Sequence, residues 1–165
     1  MLGIDPGTAT CGYGVVRAGS DGRATLRECG VVRTSAGDPL PVRLLILADA
    51  VAELLDRHRP DVLALENVFH GRNARSALVL GHARGVVMLA AARVPIPVAE
   101  ITPAEVKRAV TGTGAASKEQ VGAMVARLLR LAAPPAPADA ADGVAIALTH
   151  LLRAMPRARL AGATR

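Results

Sequence analysis

The order of apolar segments along the chain constrains its fold more than any other feature of the sequence. Three runs with β-branched residues come first, at Leu2–Ile4, Gly12–Val16 and Ala24–Val32, and clusters of Gly, Ser and Asp separate them. Connections of this kind join antiparallel neighbours in a sheet. The amino-terminal part of the chain therefore predicts three antiparallel strands.

Helical and strand patterns alternate after these strands. Apolar residues recur at helical spacing from Leu44 to Leu55, and this helix should end before Pro60. Asp61–Leu65 and Pro97–Ile101 are short apolar runs, as in buried strands. Helical spacing continues at about 73–92, 103–110, 117–131 and 139–153. We therefore predict an α/β domain with a five-stranded mixed sheet, three antiparallel strands followed by parallel ones, flanked by helices.

Length and composition favour one folded domain. The chain has 165 residues, of which 51% are hydrophobic and 21% charged, which excludes wholesale disorder. We place the domain at residues 1–152 and a basic, mobile tail at 153–165. The two cysteines have no disulfide or metal-binding spacing, and no uncharged apolar stretch reaches the ~18 residues of a membrane span. With no signal peptide recognised, we expect a cytosolic protein without membrane contact.

The basic residues are concentrated in one part of the chain. The net charge is +6, and residues 70–118 hold seven basic residues against two acidic ones. This distribution favours a polyanionic partner such as nucleic acid or an anionic membrane surface. An arginine-rich solvated face is the alternative. The basic residues of this segment are Arg72, Arg75, Arg84, Arg93, Lys107, Arg108 and Lys118.

Four carboxylates occupy positions at which a ligand could be bound. Asp5 and Glu66 follow apolar strands, and the carboxyl ends of neighbouring strands are the usual ligand site of an open α/β sheet. Asp139 and Asp142 are spaced i, i+3 at the start of the last helix, so they share a face. Ordinary roles compete with this interpretation: Asp5 as a turn residue, Glu66 as a solvated acid, Asp139 as a helix N-cap and Asp142 as a partner of the helix dipole.

A cluster of these four carboxylates would have a definite chemistry. Oxygen ligands without His or Cys suit Mg²⁺ or Mn²⁺ better than zinc, and such a cluster is costly to bury without a cation. Two such ions about 3.5–4 Å apart can activate water and stabilise the leaving oxygen of a phosphodiester. Next to a basic segment, the cluster predicts metal-dependent hydrolysis of a nucleic acid.

Several motifs occur in a specific order within residues 1–152. They are Gly3-Ile4-Asp5-Pro6-Gly7-Thr8, Gly12-Tyr13-Gly14, Leu65-Glu66-Asn67-Val68-Phe69, Ala77-Leu78-Val79-Leu80-Gly81-His82-Ala83-Arg84-Gly85, and Ala138-Asp139-Ala140-Ala141-Asp142-Gly143 with Thr149-His150. As a set they closely resemble the RuvC family of bacterial Holliday junction resolvases. The resemblance implies an RNase H-like fold, a homodimer, paired symmetric nicking of a four-way DNA junction in recombination and repair, and a branch-migration motor acting on the same junction.

The resemblance also assigns roles to single residues. It implies that the metal-binding catalytic acids are Asp5, Glu66, Asp139 and Asp142. Lys107 and Lys118 match family lysines near the DNA and the active site, with Lys118 as a catalytic candidate, and Phe69 matches an aromatic residue that meets bases. We add Arg72 and Arg75 as DNA contacts because they lie in the basic segment. Core packing is the alternative for Phe69, and chance composition for the two lysines.

Other functions and one interface stay open at this point. The first motif also looks like the phosphate loop of actin-like ATPases and sugar kinases, although a second lobe is missing. Another RNase H-like nuclease, including the relative linked to ribosomal RNA maturation, and a non-catalytic junction-binding module are further alternatives. Helix 73–92 is the expected dimer surface, since apolar residues surround more of it than one core-facing stripe needs. These residues are Leu78, Leu80, Val86, Val87, Met88 and Leu89.

Overall fold

The predicted order of strands and helices is confirmed in a computed structural model of the chain, which describes residues 1–67 and 74–154. Within these residues, no helix is long and apolar enough to cross a membrane. Phe69, Arg72 and the expected tail beyond Ala154 lie outside the described residues. The elements are β1 (Leu2–Asp5), β2 (Thr10–Ala18), β3 (Ala24–Arg33), α1 (Leu40–His58), β4 (Leu63–Glu66), α2 (Ala74–Arg93), β5 (Val98–Ile101), α3 (Pro103–Thr111), α4 (Lys118–Leu129) and α5 (Ala138–Ala154).

The strands form one mixed sheet in the order β3-β2-β1-β4-β5. β1 pairs antiparallel with β2, and β2 with β3, whereas β1 pairs parallel with β4, and β4 with β5. The register places Asp5 opposite Gly12 and Ile4 opposite Leu65. Asp5 and Glu66 therefore end two adjacent parallel strands at the same edge of the sheet.

Helices cover both faces of the sheet, which explains why its central strands are almost wholly apolar. Leu2, Ile4, Leu63 and Leu65 pack in one core cluster with α1 and α2. Ala64 belongs to a second cluster, which includes residues of α3, α4 and α5. Because side chains alternate along a strand, Asp5 and Glu66 point to the face covered by α5.

Two element boundaries differ from the prediction in ways that bear on the acids. Glu66 is the last residue of β4 rather than the residue after it, since it still pairs with Ile101 of β5. α5 begins at Ala138, so Asp139 lies inside the first turn instead of capping it. The N-cap alternative for Asp139 is therefore wrong.

The apolar residues of α2 divide between core and surface. Val87 is fully buried, and Val86 and Met88 are partly buried against the same core cluster. Leu78 and Leu89 are 65% and 56% exposed. The expected dimer surface can therefore include only the exposed stripe of α2, because the opposite side of this helix packs in the core.

Candidate active site

Two of the four acids are brought together by the sheet alone. Asp5 and Glu66 end neighbouring parallel strands and face the same side of the sheet. Both carboxyl groups line one cleft, and the neighbouring Glu66 raises the pKa of Asp5. The strand-end argument from the sequence is confirmed for this pair.

The other two acids come from α5, which lies unusually close to the sheet. Gly12 and Gly14 of β2 lie against the backbone of α5, and Gly143 of α5 lies against the backbone of β2. A β-carbon on Gly12 would lie 1.8 Å from the carbonyl oxygen of Asp139, and one on Gly143 would lie 2.6 Å from the Cα atom of Tyr13. No other residue fits these positions without moving the helix, so the glycines set the height of Asp139 and Asp142 above the sheet.

The carboxylates form a compact cluster. Carboxylate oxygens of Asp5, Asp139 and Asp142 lie within 4.8 Å of one another, and Glu66 lines one cleft with Asp5 and Asp142. Burial, the neighbouring Glu66 carboxyl and the charge of Asp142 together raise the pKa of the Asp5 carboxyl to about 8, and the charge of Lys118 partly opposes them. The site therefore disfavours the ionised form of Asp5 when no cation is bound.

The basic side chain of Lys118 is hydrogen-bonded to one of these acids. Its Nζ atom donates to Oδ2 of Asp142 over 2.8 Å, and this contact raises the pKa of the ammonium group. Lys118 is the first residue of α4, whose N-cap is Ser117. Lys118 therefore belongs to the first turn of α4, where backbone N–H groups favour an anion.

A cleft of about 120 Å³ contains most of these groups. Val106, Val121 and Ile146 form apolar parts of its wall, and Lys107 lines it from α3. The polar groups are Asp5, Glu66, Asp142, Lys107 and Lys118. Acidic ligands and two cations are thus held in one partly apolar cleft, where charge interactions are stronger than in bulk water.

Arg75 lies outside this cleft. It lines a separate depression of about 290 Å³ with Thr8, Ser76, Val79 and Leu80, between the loop after β1 and the first turns of α2. The depression shares no lining residue with the cleft that contains Asp5, Glu66 and Asp142. The structure therefore separates Arg75 from the two lysines, although the sequence grouped all three as DNA contacts.

Sequence reasoning missed the residues that place the acids. The close contacts of Gly12, Gly14 and Gly143 were not predicted, although two glycines spaced i, i+2 in a strand are a signal of close backbone approach. Arg84 was counted only as part of the basic segment. Its guanidinium instead donates to the backbone carbonyl of Glu66 and pairs with Glu100.

The residues of this cluster fit a divalent cation. All four ligand candidates are carboxylates, which is the donor type that Mg²⁺ and Mn²⁺ prefer. Burial and the neighbouring acids Glu66 and Asp142 raise the pKa of Asp5, and a bound cation would favour its ionised form.

Comparison with known proteins places this fold and site in a family. The family model described as crossover junction endodeoxyribonuclease RuvC matches residues 1–150. The RuvC of Paenarthrobacter aurescens strain TC1 is 54% identical over 154 residues, which is 93% of this chain and 82% of the relative. The RuvC of Streptomyces avermitilis is 51% identical over 160 residues, covering 97% of this chain and 91% of the relative.

Solved structures agree with this match. Thermus thermophilus RuvC has a TM-score of 0.86 and 40% identity, and the match covers 93% of this chain and 95% of the other. The structure of T. thermophilus RuvC in complex with Holliday junction substrate has a TM-score of 0.85 and 37% identity, with the same coverage. The fold is RNase H-like. The match to crossover junction endodeoxyribonucleases over residues 1–150, rather than the fold, decides against the actin-like and non-catalytic alternatives. The chain belongs to the RuvC family of crossover junction endodeoxyribonucleases, which are divalent-metal-dependent hydrolases.

Proposed function

We propose that this chain resolves four-way DNA junctions by nicking two equivalent strands symmetrically, and that two ions of Mg²⁺ or Mn²⁺ bind at its acidic cluster. The ligands would be Asp5, Glu66, Asp139 and Asp142. The observation that supports this proposal best is that three carboxylates, Asp5, Glu66 and Asp142, line one cleft with two lysines. Asp139 adds a fourth carboxylate within 4.8 Å of Asp5 and Asp142. The RuvC relatives supply the reaction class, and T. thermophilus RuvC binds a Holliday junction substrate.

The metal ions would supply activation of the attacking water and stabilisation of the leaving oxygen. The chain itself contributes the ligands and their spacing. Asp5 and Glu66 are fixed by the sheet, and Asp139 and Asp142 by the close contact of α5 with β2. Ligands from rigid elements need little reordering when a metal binds, which favours both affinity and precise placement of the scissile phosphate.

Lys118 would act on the charge that grows at the scissile phosphate. Its raised pKa keeps the ammonium group protonated at neutral pH, and the start of α4 adds backbone N–H groups that favour an anion. Lys107 lines the same cleft and would contact the neighbouring backbone phosphate. Arg75 would bind DNA outside the cleft, and Phe69 and Arg72 stay predicted DNA contacts.

The direct test is nicking of an end-labelled four-way junction with Mg²⁺ or Mn²⁺, with a linear duplex of the same sequence as the substrate control. Glu66→Gln removes one ligand and lessens the negative charge that faces DNA. We therefore expect it to lose nicking while junction binding in EDTA survives. Nicking by this variant at close to the wild-type rate would contradict the ligand assignment, and equal cleavage of the duplex would contradict the substrate.

A homodimer would supply the two active sites that paired nicking requires. Leu78, Gly81, Gly85 and Leu89 are all exposed and lie along one side of α2 at helical spacing. The two glycines would allow a second helix to approach closely between the leucines. We propose that this stripe of α2 meets its copy around a twofold axis, which an isologous interface requires.

Two further expectations rest on the family resemblance and on sequence composition. We propose a branch-migration motor complex as a partner on the same junction, to be tested by whether its addition changes the position of nicks on a mobile junction. The cytosolic location, and the division into a domain at 1–152 and a tail at 153–165, stay predictions.

A further inference from the structure

Arg84 contacts the strand that carries Glu66, and the proposed chemistry gives it no role. Its Nη1 atom donates to the backbone carbonyl oxygen of Glu66, and its Nη2 atom forms an ion pair with the carboxylate of Glu100. The Arg84 side chain is only 15% exposed, although it is charged. A guanidinium is buried to this extent only when its donors are paired, so the two contacts hold it in one position.

These two contacts join the ends of neighbouring strands. Glu100 of β5 is the register partner of Leu65, the residue before Glu66 in β4. Pairing between β4 and β1 ends at Leu65, so Glu66 has a strand partner only on the β5 side. Arg84 therefore supplies a contact to Glu66 at the point where the ladder with β1 has stopped.

Arg84 reaches Glu66 from the face of the sheet opposite to the cleft. α2, which carries Arg84, packs on the core cluster that contains Leu65. The Glu66 side chain lies in the cleft on the α5 face, and Arg84 does not line that cleft. Arg84 thus acts on the backbone from which the carboxyl group projects, and it touches neither the cleft nor a substrate bound in it.

We propose that Arg84 is a positioning residue that fixes the end of β4 and thereby sets the affinity of the site for its metal. A ligand on a strand end that is held on one side only can rotate away from the cluster. The free energy needed to restore its position then weakens metal binding. Loss of a group that orients a metal ligand typically weakens metal affinity by about 10–100-fold. This inference rests on the proposal that Glu66 is a metal ligand.

The test compares three variants with the wild type in direct binding of Mn²⁺ by calorimetry without DNA. Arg84→Gln removes the charge and the guanidinium that makes both contacts, whereas Arg84→Lys keeps the charge alone. The control is Arg127→Gln, which replaces an exposed arginine on α4. We expect Arg84→Gln to weaken Mn²⁺ binding about 10-fold or more, Arg84→Lys to weaken it less, and the control to bind as the wild type does. The Mn²⁺ concentration that half-saturates nicking should rise by the same factor.

Junction affinity in EDTA separates positioning from DNA binding. It should stay unchanged in Arg84→Gln, because the guanidinium does not reach the cleft. An equal fall of junction affinity and nicking would overturn the proposal by making Arg84 a phosphate contact. Wild-type Mn²⁺ affinity in folded Arg84→Gln, whatever its thermal stability, would also overturn it. If Arg84→Gln does not fold, wild-type Mn²⁺ affinity in Arg84→Lys would overturn the proposal instead.

Glu66→Gln, measured in parallel, tells a failure of this inference from a failure of the proposed function. Weakened Mn²⁺ binding in Glu66→Gln together with wild-type binding in Arg84→Gln would overturn the role of Arg84 alone. Wild-type Mn²⁺ binding in Glu66→Gln would overturn the ligand assignment and this inference with it.

Discussion

The backbone carbonyl of Asp139 rests on Gly12, where a β-carbon would lie only 1.8 Å from the oxygen. Gly12 is also the register partner of Asp5. One contact between backbone atoms therefore places the helix that carries two acids beside the strand that carries a third. The distance between the acids is set by the absence of a side chain rather than by a polar interaction.

Gly12→Ala should consequently impair the active site more than the fold. The added methyl group has to push α5 away from β2, and overpacking of this kind costs about 1–3 kcal/mol. Displacing α5 also moves Asp139 and Asp142 away from Asp5, so we expect metal-dependent nicking to fall well beyond what the loss of stability explains. Thermal unfolding and the nicking rate at saturating Mg²⁺ measure the two effects.

The matched control is Gly122→Ala in α4, where a β-carbon would make an ordinary contact at 3.6 Å. Alanine in place of glycine within a helix stabilises by about 0.5–1 kcal/mol, so this variant should be as stable as the wild type or more so. Unchanged nicking by Gly12→Ala would contradict the view that glycine contacts set the acid spacing.

Local patterns were sufficient to predict the order of strands and helices along the chain and the elements that carry the four acids. The apolar runs before Asp5 and Glu66 predicted that both acids lie at one edge of the sheet, because strand ends and side-chain alternation are local properties. The i, i+3 spacing placed Asp139 and Asp142 on one helix face for the same reason.

Contacts between distant elements could not be predicted in this way. The approach of Gly143 to Tyr13 and the pairing of Arg84 with Glu100 depend on how helices lie on the sheet, which no local pattern specifies. The same holds for Val87, whose burial could be decided only after α2 was packed against α1. Phe69 and Arg72 lie outside the described residues, so their DNA contacts stay predictions.

Asp5→Asn should stabilise the metal-free protein, and increasingly so at higher pH. The folded Asp5 carboxyl has a pKa of about 8, against an ordinary value of 3.8. Between these values the unfolded chain is ionised while the folded protein must keep its proton, so the wild type loses stability as pH rises. The melting temperature of Asp5→Asn in EDTA should exceed that of the wild type by a margin that grows from about pH 4 to about pH 8 and then levels off.

Adding Mg²⁺ at pH 8 should reverse this order. A bound cation favours the ionised carboxylate, so the wild type should gain thermal stability with Mg²⁺ and Asp5→Asn should gain much less. A margin independent of pH in EDTA would contradict the raised pKa of Asp5. An equal gain from Mg²⁺ in both proteins would contradict its role as a ligand.

Lys118→Ala should slow nicking by about 100-fold or more while junction affinity falls by much less, because a charge aimed at the transition state contributes little to ground-state binding. Single-turnover rates and junction affinity in EDTA measure the two effects separately. Since the pKa of Lys118 is raised above its ordinary value of 10.5, the pH dependence of nicking between pH 6 and 9 should not report on this residue. Equal losses of rate and affinity would reduce Lys118 to an ordinary phosphate contact.

Arg75→Ala should flatten the salt dependence of junction binding. If phosphate contacts dominate affinity, log K falls by about 0.9 per neutralised phosphate with each unit of log salt concentration, and loss of one contact lowers that slope by about one. Titrations of a labelled junction at several salt concentrations in EDTA measure the slope. Arg127→Ala on α4 is the control and should keep the wild-type slope. An affinity that hardly changes with salt would contradict electrostatic binding altogether.

Leu89→Glu should convert the proposed dimer into monomers and uncouple the two nicks. A junction has two equivalent strands to be cut, and one cluster of four carboxylates can act on only one of them at a time. Leu89 is 56% exposed at the end of the α2 stripe, so a charge there leaves the monomer core intact but would be buried and unpaired in a dimer. Sedimentation at micromolar concentration should show a dimer for the wild type and a monomer for Leu89→Glu. A junction held in a supercoiled plasmid should receive paired nicks only from the wild type.

The control is Ala123→Glu, a substitution at an exposed position of α4 on the other face of the sheet, which should behave as the wild type does. A monomeric wild type that makes symmetric paired nicks at full rate would refute the dimer.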